Sequence, residues 1–284
     1  MSDHLFTLLT TQYDCLTKTE KKIASLLLEK PEEFMEAYIP ELAEQIGVSQ
    51  GSLHNFAKKM GCEGFAALKL RIARDLKDYR PAAPAESKAQ ASLKDHLQDH
   101  IRRCNKSMAD TYDLNSENAL RNAIDLILSA NRIQLHGVYH SGIAAQDFCY
   151  QLIQMGLPAT FISDPLISAV SATMLDQKSL VIAVSASGRT KEILDTAAFA
   201  KEKGASILAI TAHRFSPLAK MADTALITAA GDAFSTGRFN QSRTAQLFAI
   251  DALCSYLHLQ KINSESSEEE QRINEILSSH NVYD

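Results

Sequence analysis

The chain has 284 residues, 45% of them hydrophobic and 22% charged, with a formal net charge of −5 at pH 7. That length and balance fit an ordinary globular protein of one or two domains with a sizeable core. No apolar run reaches about 18 residues, and the start lacks a basic stretch leading into a long apolar one, so neither a membrane span nor a signal peptide is expected.

Cys15, Cys62, Cys104, Cys149 and Cys254 are scattered without C-x-x-C spacing. Reduced thiols in a cytoplasm are the simplest account, and neither a metal nor a cofactor is expected. The charge is unevenly spread. Residues 1–46 hold four Lys/Arg against nine Asp/Glu, whereas residues 47–80 hold seven (Lys58, Lys59, Lys69, Arg71, Arg74, Lys77 and Arg80) against three. A small region with one basic half can bind DNA through one face, although a solvated surface has the same composition.

In chain order, Thr17-Lys18-Thr19-Glu20 reads as a capping box at a helix start. Ile23, Ala24, Leu27 and Leu28 then form one apolar stripe. Glu41–Ile46 is expected as a short helix stopped by Gly47. Ser49 is the expected cap of a further helix through Met60, which Gly61 ends. Two short helices about a glycine turn form a helix-turn-helix pattern, and also fit a plain helical hairpin. On the second helix Leu53, Phe56, Ala57 and Met60 share the buried side. Gly51, Asn55 and Lys58 centre the outward one, flanked by His54 and Lys59. With Ser49, Gln50 and Ser52 at the helix start, these are the candidate DNA-contacting residues. Asn pairs bidentately with adenine, and Lys meets guanine or phosphate.

The segments Ile39–Ser49, Asn55–Gly61 and Gly64–Lys69 resemble the DNA-binding domain of RpiR-type bacterial regulators over roughly residues 5–78. Two positions depart from that pattern. Asn55 stands where the family usually has Arg or Lys, and Gly51 where it has Ala or Ser, so an operator sequence does not carry over. The resemblance implies double-stranded DNA as a partner.

Residues 80–92 lack large apolar side chains and contain Pro81 and Pro84, the signature of an exposed linker. Leu93, Leu97, Ile101, Cys104 and Met108 mark a long helix, and Leu120, Ala123, Ile124, Ile127 and Leu128 a second. Both can pack on a partner subunit or on their own sheet. Strand-like runs follow at 133–138, 159–162, 180–184, 206–210 and 225–228, with helical patterns near 141–155, 165–174, 190–203 and 216–221. Such alternation implies a parallel sheet covered on both faces. In the flavodoxin-like strand order 2-1-3-4-5 the ligand crevice lies between strands 1 and 3.

Two hydroxyl-rich loops would meet there. One is Tyr139-His140-Ser141-Gly142. The other is Ser185-Ala186-Ser187-Gly188-Arg189-Thr190, between the apolar run Leu180–Val184 and a helix start. Hydroxyls, a glycine and free helix-start N–H groups suit a phosphate. The plainer reading is a strand-to-helix turn capped by Ser187 or Thr190. Asp164 is placed either to bind sugar hydroxyls or to cap the helix after Pro165.

Gly137–Gly142 with Ser185–Glu192 resemble a SIS (sugar isomerase) domain across about residues 115–260. That resemblance implies a phosphosugar held by Ser185, Ser187 and Thr190 with help from Gly188, Ser141 touching it from the first loop, and His140 beside the crevice. Arg243 resembles an arginine common at this point in the regulators. Tyr139 replaces the usual glycine.

The expected architecture is thus an all-α helix-turn-helix domain (1–79), a linker (80–92) and an α/β three-layer, flavodoxin-like SIS domain with a five-stranded parallel sheet (93–284). The expected function is a phosphosugar-sensing transcription regulator acting as a homodimer or homotetramer. The rival is a sugar-phosphate isomerase, for which His140 or Glu192 would be the only nearby base.

Overall fold

The structure, a computed structural model, describes residues 5–13, 16–76, 92–229, 241–263, 272 and 275–276. Most of the expected linker, Lys77, Arg80, Arg238, the loop 235–240 and much of the tail after 263 lie outside the described residues. The chain forms two compact units that divide between Ile101 and Arg102.

The first unit is helical: α1 (Leu5–Gln12), α2 (Lys18–Glu29), α3 (Pro31–Glu36), α4 (Ile39–Ile46), α5 (Gln50–Lys59) and α6 (Phe65–Asp75). The capping box starts α2, with Glu20 N–H donating to Thr17 Oγ1 at 3.3 Å and Thr17 N–H to Glu20 Oε2 at 2.8 Å. Ile23, Leu27, Phe34, Leu42, Leu53, Phe56, Leu68 and Ile72 are fully buried in one core. Each such side chain contributes about 1.5–3 kcal/mol on burial. The buried carboxylate of Asp75 accepts a hydrogen bond from the Leu5 amide at 2.7 Å and joins the end of α6 to the start of α1.

α7 (Leu93–Asp113) and α8 (Glu117–Ser129) precede β1 (Arg132–Gly137), α9 (Tyr139–Gln154), β2 (Ala159–Phe161), α10 (Pro165–Ala172) and β3 (Ser179–Val184). After these come α11 (Lys191–Glu202), β4 (Ser206–Thr211), α12 (Pro217–Met221), β5 (Thr224–Ile227) and α13 (Gln241–Asn263). Every strand pairing is parallel, in the order β2-β1-β3-β4-β5. Alternation along the strands divides the core. Ile133, Leu135, Leu180, Ile182 and Ile210 pack under α8, α9 and α13. Val181, Ala183, Ile207 and Ala209 face Ala172, Ile193, Ala197 and Leu218 of α10, α11 and α12. Both sheet faces are therefore covered, which is why these strands read as unbroken apolar runs. Observed strand limits fall within one or two residues of the expected ones.

Candidate functional site

Gly137 at the end of β1 pairs in register with Val184 at the end of β3. The two hydroxyl loops therefore leave neighbouring strands at the same edge of the sheet, where the strand order reverses. Ser185 is buried, and its Oγ lies 3.0 Å from Thr190 Oγ1 while accepting from the Gly188 amide at 3.2 Å. Ser187 is exposed and its Oγ accepts from the Arg189 amide at 3.2 Å. Thr190 occupies the N-cap of α11 but makes no side-chain cap bond. The first-turn amides of α11 thus lack a side-chain acceptor, and the capping reading of this loop is set aside. Gly188 has φ +58°, and a Cβ there would lie 2.2 Å from Ser216 Oγ and 2.8 Å from Thr211 Oγ1. Only glycine fits this bend.

In the other loop Ser141 stands in the first turn of α9 and its Oγ accepts from Gln246 Nε2 of α13 at 3.1 Å. Gln246 is buried, and nothing but its helical position is legible from the sequence. Arg243, three residues earlier on α13, is exposed, as is His140. Tyr139 holds φ 52°, the one positive-φ non-glycine among the described residues, with its ring 92% exposed. Its backbone takes the left-handed form for which glycine is the low-cost residue, so the side chain is carried at the expense of strain. Asp164 caps α10, its Oδ1 accepting from the Ile167 amide at 2.8 Å. The capping alternative is the one observed.

On the α10–α11 side of the sheet is a shallow, solvent-open dent with no enclosed volume, bordered by Val138, Ser163, Ser168, Glu192 and Thr196. His136 of β1 is buried next to it. Its Nδ1 lies 2.7 Å from Ser168 Oγ, which also lies 3.2 Å from Ile162 O. His136 Nε2 is buried with no hydrogen-bond partner among the described residues. Burial pushes the His136 pKa down to about 4, so the ring is neutral at physiological pH. Among the described residues no three His, Cys, Asp or Glu side chains are grouped to hold a metal ion.

In the helical unit, Gly47 ends α4 at φ +70°, with Val48 N–H bonding back to Ala43 O at 2.9 Å. Ser49 Oγ accepts from the Ser52 amide at 3.2 Å and opens α5. Gln50, Gly51, His54, Asn55 and Lys58 are exposed on α5, whereas Leu53, Phe56 and Ala57 are buried. Lys59 departs from the expected surface role. Its Nζ is 2.8 Å from Glu20 Oε2, and both side chains are largely covered. The partner lies 39 residues away, beyond the reach of any local pattern.

A helix-turn-helix unit followed by a parallel sheet covered on both faces is the arrangement of a DNA-binding regulator joined to an α/β domain. The helix-turn-helix domain of the rpiR family matches residues 4–79, and the SIS domain matches residues 126–256. An uncharacterized HTH-type transcriptional regulator of Caldanaerobacter subterraneus is 32% identical over 249 residues, spanning 87% of this chain and 88% of that protein. The chain belongs to the rpiR family of HTH-type transcriptional regulators. It is also 33% identical over 232 residues to the bifunctional protein glk of Paraburkholderia xenovorans, matching 80% of this chain but only 35% of that longer protein. Among solved structures it is similar to the NanR protein of Vibrio vulnificus complexed with ManNAc-6P. The TM-score is 0.60 and the identity 24%, over 97% of this chain and 98% of that one, a likeness of fold.

Proposed function

We propose that this regulator senses a phosphorylated sugar at the Ser185–Thr190 loop and couples its binding to DNA occupancy by α5. The observation that carries the reading is the start of α11, where Thr190 makes no side-chain cap, its hydroxyl lies 3.0 Å from Ser185 Oγ, and the exposed Ser187 is three residues away in the same loop. Ser141 would touch the ligand from the neighbouring strand end, with Gly188 shaping the loop, and His140 and Arg243 are the exposed groups assigned to its sugar end. The capping role of Asp164 leaves it a second, outer part. Supporting this reading, a phosphosugar is bound in a protein of the same fold. DNA would be read by Ser49, Gln50, Gly51, Ser52, His54, Asn55 and Lys58, in a cytoplasmic homodimer or homotetramer on an inverted repeat.

The isomerase alternative needs an acid-base pair at the sugar carbons. His140 and Glu192 are both exposed and no hydrogen bond joins them to a partner acid among the described contacts. We assign the chain to sensing and not to turnover.

The test is a thermal-shift screen of aldose and ketose phosphates against their unphosphorylated forms. A true effector at 100 times its dissociation constant adds about 2.7 kcal/mol of stability. Equal stabilisation by free and phosphorylated sugar defeats the phosphate assignment. Incubation in deuterated water should give neither interconversion nor exchange at C2, and turnover abolished by His140→Ala or Glu192→Gln would make the chain an isomerase.

A further inference from the structure

α2 carries its charges against the helix dipole. Lys18 and Lys21 fall in its first turn, at the positive end of the macrodipole where a cation is unfavourable, and Lys22 follows. Lys18 and Lys22 are both exposed and stand four residues apart on one face, where like charges destabilise a helix. Other basic side chains of the unit are engaged. Lys21 Nζ lies 5.5 Å from the centre of the Tyr13 ring, Lys59 pairs with Glu20, and Arg74 pairs with Asp75. Lys18 and Lys22 make no ion pair or side-chain hydrogen bond with any described residue. Their repulsion weakens the free protein and is relieved when an anion arrives.

The turn between α4 and α5 lies beside Lys22. A Cβ on Gly47 would be 3.9 Å from Lys22 Nζ. Gly47 is the left-handed C-cap of α4, two residues before the Ser49 cap of α5. α4 ends there with the negative end of its dipole and exposes Glu41 and Glu44. Without a cation, that corner would repel a phosphate. We propose that Lys22 binds a DNA backbone phosphate beside this turn, with Lys18 extending the contact one turn along α2. The inference rests on the reading of α5 as the DNA-facing helix and adds α2 as a second element that holds the backbone. Charge and exposure select a duplex as the occupant. Two ammonium groups on an open surface offer a small anion neither burial nor directed amides, whereas a polyanion gains by releasing its condensed counterions. A lysine at the end of α4 also offsets the helix dipole, a structural part that would be read in stability.

Fluorescence anisotropy of the full chain with a random-sequence duplex, over a series of salt concentrations, tests this. Lys22→Ala should lower the slope of log K against log salt by about 0.9 for each subunit in contact. Adding Lys18→Ala should lower it further, and Lys22→Arg should keep the wild-type slope. The melting temperature of Lys22→Ala should hold or rise, because the like-charge pair is relieved. Lys203→Ala removes the same exposed charge from the α/β unit and should leave the slope intact. An unchanged slope in Lys22→Ala, or an equal fall in Lys203→Ala, overturns the proposal. A melting temperature that falls while the slope is kept assigns Lys22 to the α4 terminus and overturns it as well. Lys58→Ala separates this inference from the reading it rests on. A slope lowered by Lys58→Ala but not by Lys22→Ala removes the α2 contact alone, whereas a slope indifferent to both removes the DNA reading of α5 with it.

Discussion

A Cβ placed on Gly188 would lie 2.5 Å from the Cβ of Ser216, closer than real side chains approach. Ser216 is itself immobile, being buried at the N-cap of α12 with its Oγ accepting from the Ala219 amide at 3.2 Å. The serine loop is therefore wedged against the next strand-to-helix turn, which holds its hydroxyls in place before any ligand arrives.

Gly188→Ala should accordingly cost about 2 kcal/mol or more, combining the left-handed backbone with the clash. The melting temperature should fall and phosphosugar affinity should fall with it. Chemical denaturation and calorimetric titration check both, and an Ala variant of native stability would show that the loop yields freely.

Ser187→Ala tests the ligand without the fold. Its hydroxyl is exposed and accepts from the Arg189 amide, so stability should barely change. Losing a hydrogen bond to a charged phosphate should weaken effector binding by about 1.5–3 kcal/mol, one to two decades in affinity. Titration of the variant with phosphorylated and free sugar separates the phosphate contribution from the rest.

On the DNA side, Asn55→Ala should cost about 1–3 kcal/mol on the cognate site and relax preference at one base pair. Lys58→Ala should weaken specific and non-specific duplexes alike and reduce the salt slope by about one unit per contact. Lys59→Ala should behave differently from Lys58→Ala, because it also removes the ion pair with Glu20 and so lowers the melting temperature. Binding isotherms at several salt concentrations, beside melting curves, distinguish the three.

Two partly or fully covered groups contribute to the acid side of the stability profile. His136 titrates at about 4 when folded against 6.5 ordinarily, so the unfolded chain binds its proton first. Stability contributed by the neutral ring is full above pH 6.5 and is lost as pH falls towards 4, about 3 kcal/mol in all. For Glu20, burial draws the carboxyl upward, but the hydrogen bond from Lys59 and the Thr17 amide outweigh it and the net pKa lies below 4.5. Its contribution is present above 4.5 and fades below that. Denaturant midpoints between pH 7 and 4 should fall steeply in the wild type and less so in His136→Gln.

Much of this was legible in sequence for identifiable reasons. The five strands are short unbroken apolar runs, and the Thr17–Glu20 box and the Ser49 cap are local motifs whose bonds form as written. What escaped is non-local. Gln246 meets Ser141 across 105 positions and Lys59 meets Glu20 across 39. His136 passed as filler in an apolar run because nothing local marks a strand residue as bonded to a helix 32 positions on. For α10, periodicity locates the stripe of Leu166, Ile167 and Val170 but not the direction in which it faces, since that depends on what the serines bind.

The hydrogen bond between Asp75 and the Leu5 amide has a consequence for the order of synthesis. It ties α1 to α6, the two ends of a run of six helices made within the first 75 residues, and such local helical folds form fast. The ribosome thus completes the DNA-reading unit while the sensor is still unmade. Under the homo-oligomer reading proposed above, a lone reading unit would meet only one half-site, so a nascent chain would gain little hold on DNA until its sensor had emerged and found a partner.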